Sequence, residues 1–438
     1  MIFGDSIVAL SSGRLPSGVA VVRLSGPKTR FALETIVGEV PPPRQAVYRP
    51  FVGEDGEAMD HGIVLFLPGP GSFTGEDVAE FQLHGSRATV SALLSRLTRM
   101  KGVRHAEAGE FTRRAFLNGK MDLPQTEALA DLINAETEVQ RRFALRNADG
   151  LQGRLYEDWR RRLIHARAMI EAEIDFAEEE DVPGSVAGRV VAEVAALADE
   201  IGTHAGSYRT AEIIRDGFEV VILGAPNAGK SSLLNALARR DVAIVTDEPG
   251  TTRDLLEVSL DLNGLVVKFV DTAGLRDGAG RVEAIGIERA RLRARRAHLV
   301  LLLEDMADPL PVEADFGSVP LLRIGTKRDL APVSDKGEYD LTLSSVTGEG
   351  LPALVKEVAD RARAAVTAGG DVLPSRLRHV DLLREAETFL RRLPDHEGER
   401  ELQAESLRLA ADRLGRIVGT IDVEDLLDVI FSQFCIGK

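Results

Sequence analysis

The sequence predicts a multidomain α/β protein, with an N-terminal α+β domain, an all-helical domain, and an α/β domain of mostly parallel sheet inserted into the helical one. Three observations predict it. The chain has 438 residues, which at roughly 150 residues per domain suggests about three domains. Hydrophobic residues are 44% and charged residues 28%, the balance of a soluble globular chain rather than a disordered or membrane one. Finally, the hydrophobic pattern changes character three times along the chain.

Residues 1–118 read as short β-like runs broken by turns: GVAVVRLSG, HGIVLFLPG and EDVAEFQLHG, the last followed by the helical ATVSALLSRLTRM. The prolines of PPPRQ, Pro41 to Gln45, make a rigid surface connection, because consecutive prolines enter neither a helix interior nor a central strand. Residues 119–215 carry long helical periodicity. Within them Arg154, Arg160, Arg161, Arg162 and Arg167 precede a late acidic run from Glu171 to Asp181. This polarity fits a solvated helix face, or a local patch for RNA. Residues 216–372 alternate strand, loop and helix, with FEVVILG, LVVKFVD, HLVLLLE and PLLRIGT as buried parallel strands. Residues 373–438 return to helices. Helical segments on both sides of the α/β region argue for its insertion into one helical domain.

Lys and Arg total 54 against 69 Asp and Glu, a formal charge of −15, so bulk attraction to nucleic acid is excluded and any RNA contact needs a local basic patch. The one cysteine, Cys435, excludes an intrachain disulfide and suits a reducing, cytoplasmic compartment. No leader and no membrane span is expected.

The chemistry concentrates in GAPNAGKS, Gly224 to Ser231, between a strand and a helix. It fits the phosphate loop G-x-x-x-x-G-K-[ST], whose backbone N–H groups cradle phosphates. Lys230 reaches the β- and γ-phosphates, and the Ser231 hydroxyl ligates Mg²⁺. DTAG, Asp271 to Gly274, closes a strand and has the D-x-x-G form that organises the metal shell. PGTTRD between them offers Thr252 as a second Mg²⁺ hydroxyl. TKRD, Thr326 to Asp329, matches [NT]-K-x-D, in which the aspartate accepts from guanine N1–H and the 2-amino group, selecting GTP over ATP. Ser344 and Ser345 fall where a loop contacts guanine O6.

This set resembles the Ras-like GTPases. The resemblance implies nucleotide contacts from Asn227, Ala228, Gly229, Lys230, Ser231 and Ser232, from Thr246, Thr251 and Thr252, and from Asp271, Thr272, Ala273 and Gly274. Thr326, Lys327, Asp329, Ser344 and Ser345 complete it. One departure is Leu275 after D-x-x-G, where a glutamine usually orients the attacking water. Glu283 and Glu288 are the alternatives, and either is equally at home on an exposed helix.

Over nearly its whole length the chain resembles the MnmE (TrmE) family of tRNA-modifying GTPases, in DSIVAL, AEFQLHG, AGEFTRRAFLNGKMDLPQTEAL, GIERA and the terminal FCIGK. The resemblance implies a folate-binding, dimerising N-terminal domain and a G domain that dimerises in a K⁺-dependent cycle. It also implies a flavoprotein partner, MnmG, in a heterotetramer that modifies C5 of the wobble uridine, position 34, of certain tRNAs. The folate unit would be a 5-formyl or 5,10-methylene tetrahydrofolate. By the same resemblance Glu283 positions the catalytic water, and Asn227, Thr246, Glu248 and Thr251 hold K⁺. Asn227 suits a loop turn equally well. Arg23, Glu80, Lys120 and Lys438 would bind folate. Taken singly, each reads as surface charge. Cys435 is implied as a nucleophile, or as a small packed residue. The competing readings are a ribosome-assembly switch like Era or Der, and an N-terminal module that only dimerises.

Overall fold

The computed structural model describes residues 3–175, 186–240, 242–244, 256–271, 291–310, 316–330, 339–366, 372–396 and 398–421, together with Leu427, Ile430, Phe431, Phe434 and Gly437. In chain order the N-terminal region forms β1 (Ser6–Leu10), β2 (Ser17–Ser25), α1 (Thr29–Val37), β3 (Val47–Val52), β4 (Ala58–Leu67), β5 (Val78–Gly85), α2 (Arg87–Thr98), β6 (Val103–His105) and α3 (Glu110–Leu117). Helices follow: α4 (Leu123–Ile133), α5 (Glu138–Ala148), α6 (Leu151–Asp175), α7 (Val186–Gly206) and α8 (Tyr208–Asp216). Next come β7 (Phe218–Gly224), α9 (Lys230–Ala238), β8 (Ala243–Ile244), β9 (Leu256–Leu262), β10 (Leu265–Asp271), β11 (Leu299–Asp305), β12 (Leu321–Thr326) and β13 (Leu341–Thr342). The chain continues through α10 (Leu351–Val366), α11 (Leu377–Arg391) and α12 (Arg400–Val418).

Two compact units result. One comprises Met1–Ala130, Asn147–Val194 and Thr388–Lys438; the other comprises Asp131–Arg146 and Ala195–Glu387.

In the first unit six strands lie in the order β3-β4-β5-β2-β1-β6, antiparallel except for the β1–β6 pair. Alternation puts Val22, Leu24, Val64, Phe66, Ala79 and Phe81 on one face, beneath α1 and α2. Ser86 caps α2, its hydroxyl accepting the Thr89 N–H at 3.1 Å. The opposite face is covered near β1 by α3, through Ile7, Ala9, Ala106 and Phe111. Farther out it carries Val19, Tyr48 and Ile63, 60%, 65% and 38% exposed. The helical part pairs α6 with α12, and Leu123 packs with Leu427, Ile430, Phe431 and Phe434.

The second unit holds a seven-stranded sheet ordered β13-β12-β11-β7-β10-β9-β8. Strands β10, β7, β11, β12 and β13 run parallel, as the apolar runs predict. The sequence reading overlooked β9, which pairs antiparallel to β10. The signal was present: Asn263 and Gly264 both have positive φ, as a two-residue Asn-Gly hairpin turn requires. Flanking helical segments belong to this unit for identifiable reasons. Val139 of α5 packs on its core, Gln140 Nε2 donates to the Arg215 carbonyl at 2.8 Å, and Arg376 pairs with Asp131 at 2.8 Å. The compact units therefore do not follow the sequence-expected helical segments one for one.

No helix among the described residues is long and apolar enough to cross a membrane.

Candidate functional site

The phosphate loop sits between the end of β7 and the start of α9. Gly224 has φ 152°, and a Cβ there would stand 2.4 Å from the Leu303 carbonyl of β11, so the strand can turn this closely only without a side chain. Gly229, φ 89°, is the N-cap of α9, which leaves the first N–H groups of the helix facing the loop. Asn227 also has positive φ, 64°. Its turn-forming role is therefore met in the backbone, and its exposed side chain remains available to a ligand.

Lys230, 6% exposed, donates from Nζ to the Gly224 and Ala225 carbonyls at 2.9 and 2.8 Å. Ser231 Oγ donates to Oδ2 of Asp271 at 3.1 Å, and Asp271 is fully buried. A hydroxyl and a carboxylate oxygen this close form a donor set that suits a hard divalent cation such as Mg²⁺. Ser232 is exposed one position farther along α9.

The second motif packs directly against the loop. Thr326, 2% exposed, has Oγ1 within 2.9 Å of the Ala228 carbonyl and 3.1 Å of the Glu304 carbonyl. A threonine hydroxyl carries one proton and donates to one of them at a time, whereas an asparagine amide carries two. Lys327, with φ 57°, pairs with Asp305 at 2.6 Å. Burial raises the Asp305 pKa, but Lys327 and the Ala307 N–H outweigh it, and the carboxyl lies below its usual range. Asp329 is exposed beyond the strand. Ser344 is fully buried, and its hydroxyl accepts the Val346 and Thr347 N–H groups at 3.2 and 3.1 Å. It therefore shapes its loop, leaving half-buried Ser345 nearer the surface.

Thr246, Glu248, Thr251, Thr252, Thr272, Ala273, Gly274, Glu283, Cys435 and Lys438 lie outside the described residues.

On the first unit, Arg23 and Glu80 are directly opposed across β2 and β5. Arg23 Nε donates to Glu80 Oε1 at 3.0 Å, with its terminal nitrogen at 2.9 Å. The guanidinium lies 5.8 Å from the Phe73 ring and 5.7 Å from that of Phe111, at cation–π range. Phe73 belongs to the β4–β5 loop, where Lys120 Nζ donates to the Pro70 carbonyl at 2.8 Å. Gly437 reaches the same sheet: its carbonyl accepts the Ser11 hydroxyl at 2.8 Å, beside Leu10, whose neighbour Ala9 pairs with Arg23. Arg23, Glu80 and the Lys120 loop are thus gathered on one face. A carboxylate and two cations fit a ligand with an amino-pyrimidine edge and an acidic tail.

Sequence reasoning missed the buried support beneath this face. Arg114, 1% exposed, contacts Asp5 at 2.8 Å, Glu76 at 3.2 Å and Glu110 at 3.1 Å, and Arg104 grips Glu110 at 2.6 Å. Ser25 links Thr74 and Glu76, and Asn118 Nδ2 donates to the Thr74 carbonyl at 2.7 Å. Glu110, Arg114 and Asn118 all fall in AGEFTRRAFLNGK, which was the available signal.

Comparison with known proteins bears on both halves. A family model described as GTP-binding protein TrmE N-terminus matches residues 6–120, and one described as MnmE helical domain matches residues 123–435. Three relatives carry the name tRNA modification GTPase MnmE. That of Mesorhizobium japonicum is 65% identical over 100% of both chains. Those of Chelativorans sp. and Brucella anthropi are 57% and 58% identical, each over 99% of this chain and 98% of theirs. Among solved structures, the G domain of the T. maritima FeoB iron transporter overlaps at a TM-score of 0.27 with 27% identity, over 33% of this chain and 98% of its own. Aquifex aeolicus Era bound to GDP and aluminium fluoride also gives 0.27, with 22% identity over 39% and 66%. Full-length identity at this level, joined by two models that span nearly the whole sequence, means that the chain belongs to the MnmE (TrmE) family of tRNA modification GTPases.

Proposed function

We propose that this protein is a GTP-hydrolysing enzyme of tRNA modification that, with the flavoprotein MnmG, installs a carboxymethylaminomethyl or aminomethyl group at C5 of wobble uridine 34. The supporting observation is the convergence of Lys230, Ser231, Asp271 and Thr326 around one loop, in a chain 65% identical end to end to a relative named for this activity.

In this reading the Lys230 ammonium leaves the loop carbonyls for the β- and γ-phosphate oxygens, where its charge offsets the charge of the transition state. Asp329 accepts guanine N1–H and the 2-amino group. Ser231 and Thr252, with Asp271 behind Ser231, hold Mg²⁺, and Asn227, Thr246, Glu248 and Thr251 hold K⁺. When bound, these ions supply positive charge at the phosphate oxygens. Glu283 orients the attacking water in the place of the glutamine that Leu275 replaces.

Arg23, Glu80, Lys120 and Lys438 hold a reduced folate that provides the one-carbon unit, and Cys435 is its companion at the C-terminus. The open sheet face bearing Val19, Tyr48 and Ile63 is an apolar patch of the kind that marks interfaces, which supports a homodimer and, with MnmG, a heterotetramer. A partner that grips the RNA also reconciles a charge of −15 with a tRNA substrate in the cytoplasm. A ribosome-assembly switch like Era or Der would leave residues 6–120 without a task.

The test is GTP turnover in K⁺ against Na⁺, together with nucleoside analysis of tRNA from cells lacking the protein. Turnover that falls in Na⁺ and unmodified uridine 34 in the deletion strain are expected. Indifference to the cation removes the K⁺ assignment, and unaltered wobble uridines remove the function.

A further inference from the structure

The second unit contains a cavity of about 490 Å³ that neither site uses. It opens at the N-terminal ends of β7 and β11, where Phe218 begins one strand and His298 precedes the other. The phosphate loop leaves the far end of β7, roughly 20 Å away at 3.3 Å per residue. Its apolar lining is Ile213, Phe218, Pro320, Ala364 and Ala365. The two alanines lie in the last turns of α10 and add little bulk to the wall.

The polar lining is Arg209, Arg361, His298 and Thr210, in which the two guanidinium groups only donate and the Thr210 hydroxyl both donates and accepts. Arg209 and Arg361 both face the cavity. Arg361 pairs along its helix with Glu357 at 2.8 Å, which satisfies one edge of a five-donor fork. Among the described residues, Arg209 makes no ion pair and no carboxylate lines the space. His298 Nδ1 accepts the Glu219 N–H at 2.9 Å, so the neutral ring carries its proton on Nε2. Burial, and then Arg209, lower the His298 pKa against the opposing pull of Glu219, which keeps the ring neutral and donating. The ring stacks on Phe218 at 5.1 Å and 24°, giving the cavity a flat wall.

We propose that this cavity is a further ligand site, for a small organic anion with a planar apolar body. The head group, a carboxylate or phosphate, lies between the Arg209 and Arg361 guanidinium groups. The body packs against Phe218, Pro320 and Ala364. The volume is that of a small-molecule pocket, and none of its lining residues is one assigned to the nucleotide or the folate.

The test is equilibrium dialysis of the full-length protein, with GDP and Mg²⁺ present to fill the phosphate loop. The probes are 2-naphthoate, 1-naphthyl phosphate and the uncharged 2-naphthylmethanol. At least one anion should bind saturably, and the alcohol about tenfold more weakly or not at all. The stronger of the two anions identifies the head group. The double variant Arg209→Ala with Arg361→Ala removes surface side chains and should fold normally by circular dichroism while weakening the anion about tenfold or more. Ala364→Trp, which fills the cavity, should abolish binding. Absence of saturable binding at millimolar probe, equal binding of the alcohol, or full binding by a folded double variant overturns the proposal.

Discussion

Arg114 buries a full positive charge at 1% side-chain exposure, which is tolerable only because Asp5, Glu76 and Glu110 surround it. Burial raises the Glu110 pKa, but hydrogen bonds from Arg104, the Glu107 N–H and Arg114 outweigh it and hold the carboxyl below its usual range. Arg114→Met would leave these carboxylates without their central cation. We expect it to cost about 3–5 kcal/mol, read as a lowered urea midpoint of the first unit. A variant as stable as the parent would show that the network contributes nothing net. Thr326 shows what a motif can and cannot say at this scale. TKRD announced a nucleotide contact, and the structure shows Thr326 as a tether to Ala228. Its one-proton limit followed from the residue type alone. That Ser344 turns inward to hold Val346 and Thr347 did not, because loop closure depends on where the chain returns.

At the level of elements, the parallel strands were readable because continuous apolar runs need cover on both faces, whereas β9, LEVSLDL, alternates strictly and so carries the pattern of a half-buried antiparallel strand, not that of a continuous apolar run. For the arginines of α6 the sequence allows two readings, a solvated face or an RNA patch. Arg160 pairs with Glu157, Arg161 with Asp158 and Arg167 with Glu171, neighbours on their own helix, which favours a solvated face over an RNA patch. Helices α7 and α11 carry a titration that no pattern revealed. Burial first, and then the nearby His379, push the His204 pKa down to about 4. The unfolded chain would take up this proton near 6.5, so between these values acid favours unfolding. The contribution of His204 is complete above about pH 6.5 and lost as pH falls toward 4, at up to roughly 1.4 kcal/mol per pH unit. Thermal midpoints measured from about pH 7 down to 5 should fall, and His204→Gln should flatten this limb. An identical slope in the variant would assign the effect elsewhere.

For the molecule as a whole, each compact unit has its own apolar core, and each proposed ligand belongs to one unit. Calorimetry should therefore resolve more than one transition. GTP with Mg²⁺ should raise the transition of the unit holding β7 and α9, and 5-formyltetrahydrofolate that of the unit holding β2 and β5. Each shift should correspond to about 2.7 kcal/mol at a hundredfold excess over Kd. One transition that responds equally to both ligands would refute this division. The order of helical and α/β regions was legible in the sequence. The allocation of helices was not, since Val139 and Gln140 join the nucleotide-fold unit through side chains that periodicity does not assign.

The discontinuity of the first unit also sets an order of events during synthesis. Its strands are complete well before its last segment, Thr388–Lys438, is made, and about 210 residues of the other unit lie between, which at roughly 5–20 residues per second takes on the order of 10–40 s. The sheet core between Val8 and Val103 is whole early and can form on the ribosome. Leu123 must wait for Leu427, Phe431 and Phe434, and Ser11 for Gly437. Until these arrive, the nascent chain carries an uncovered apolar seam, which makes the helical half of this unit the stretch on which chaperones should act.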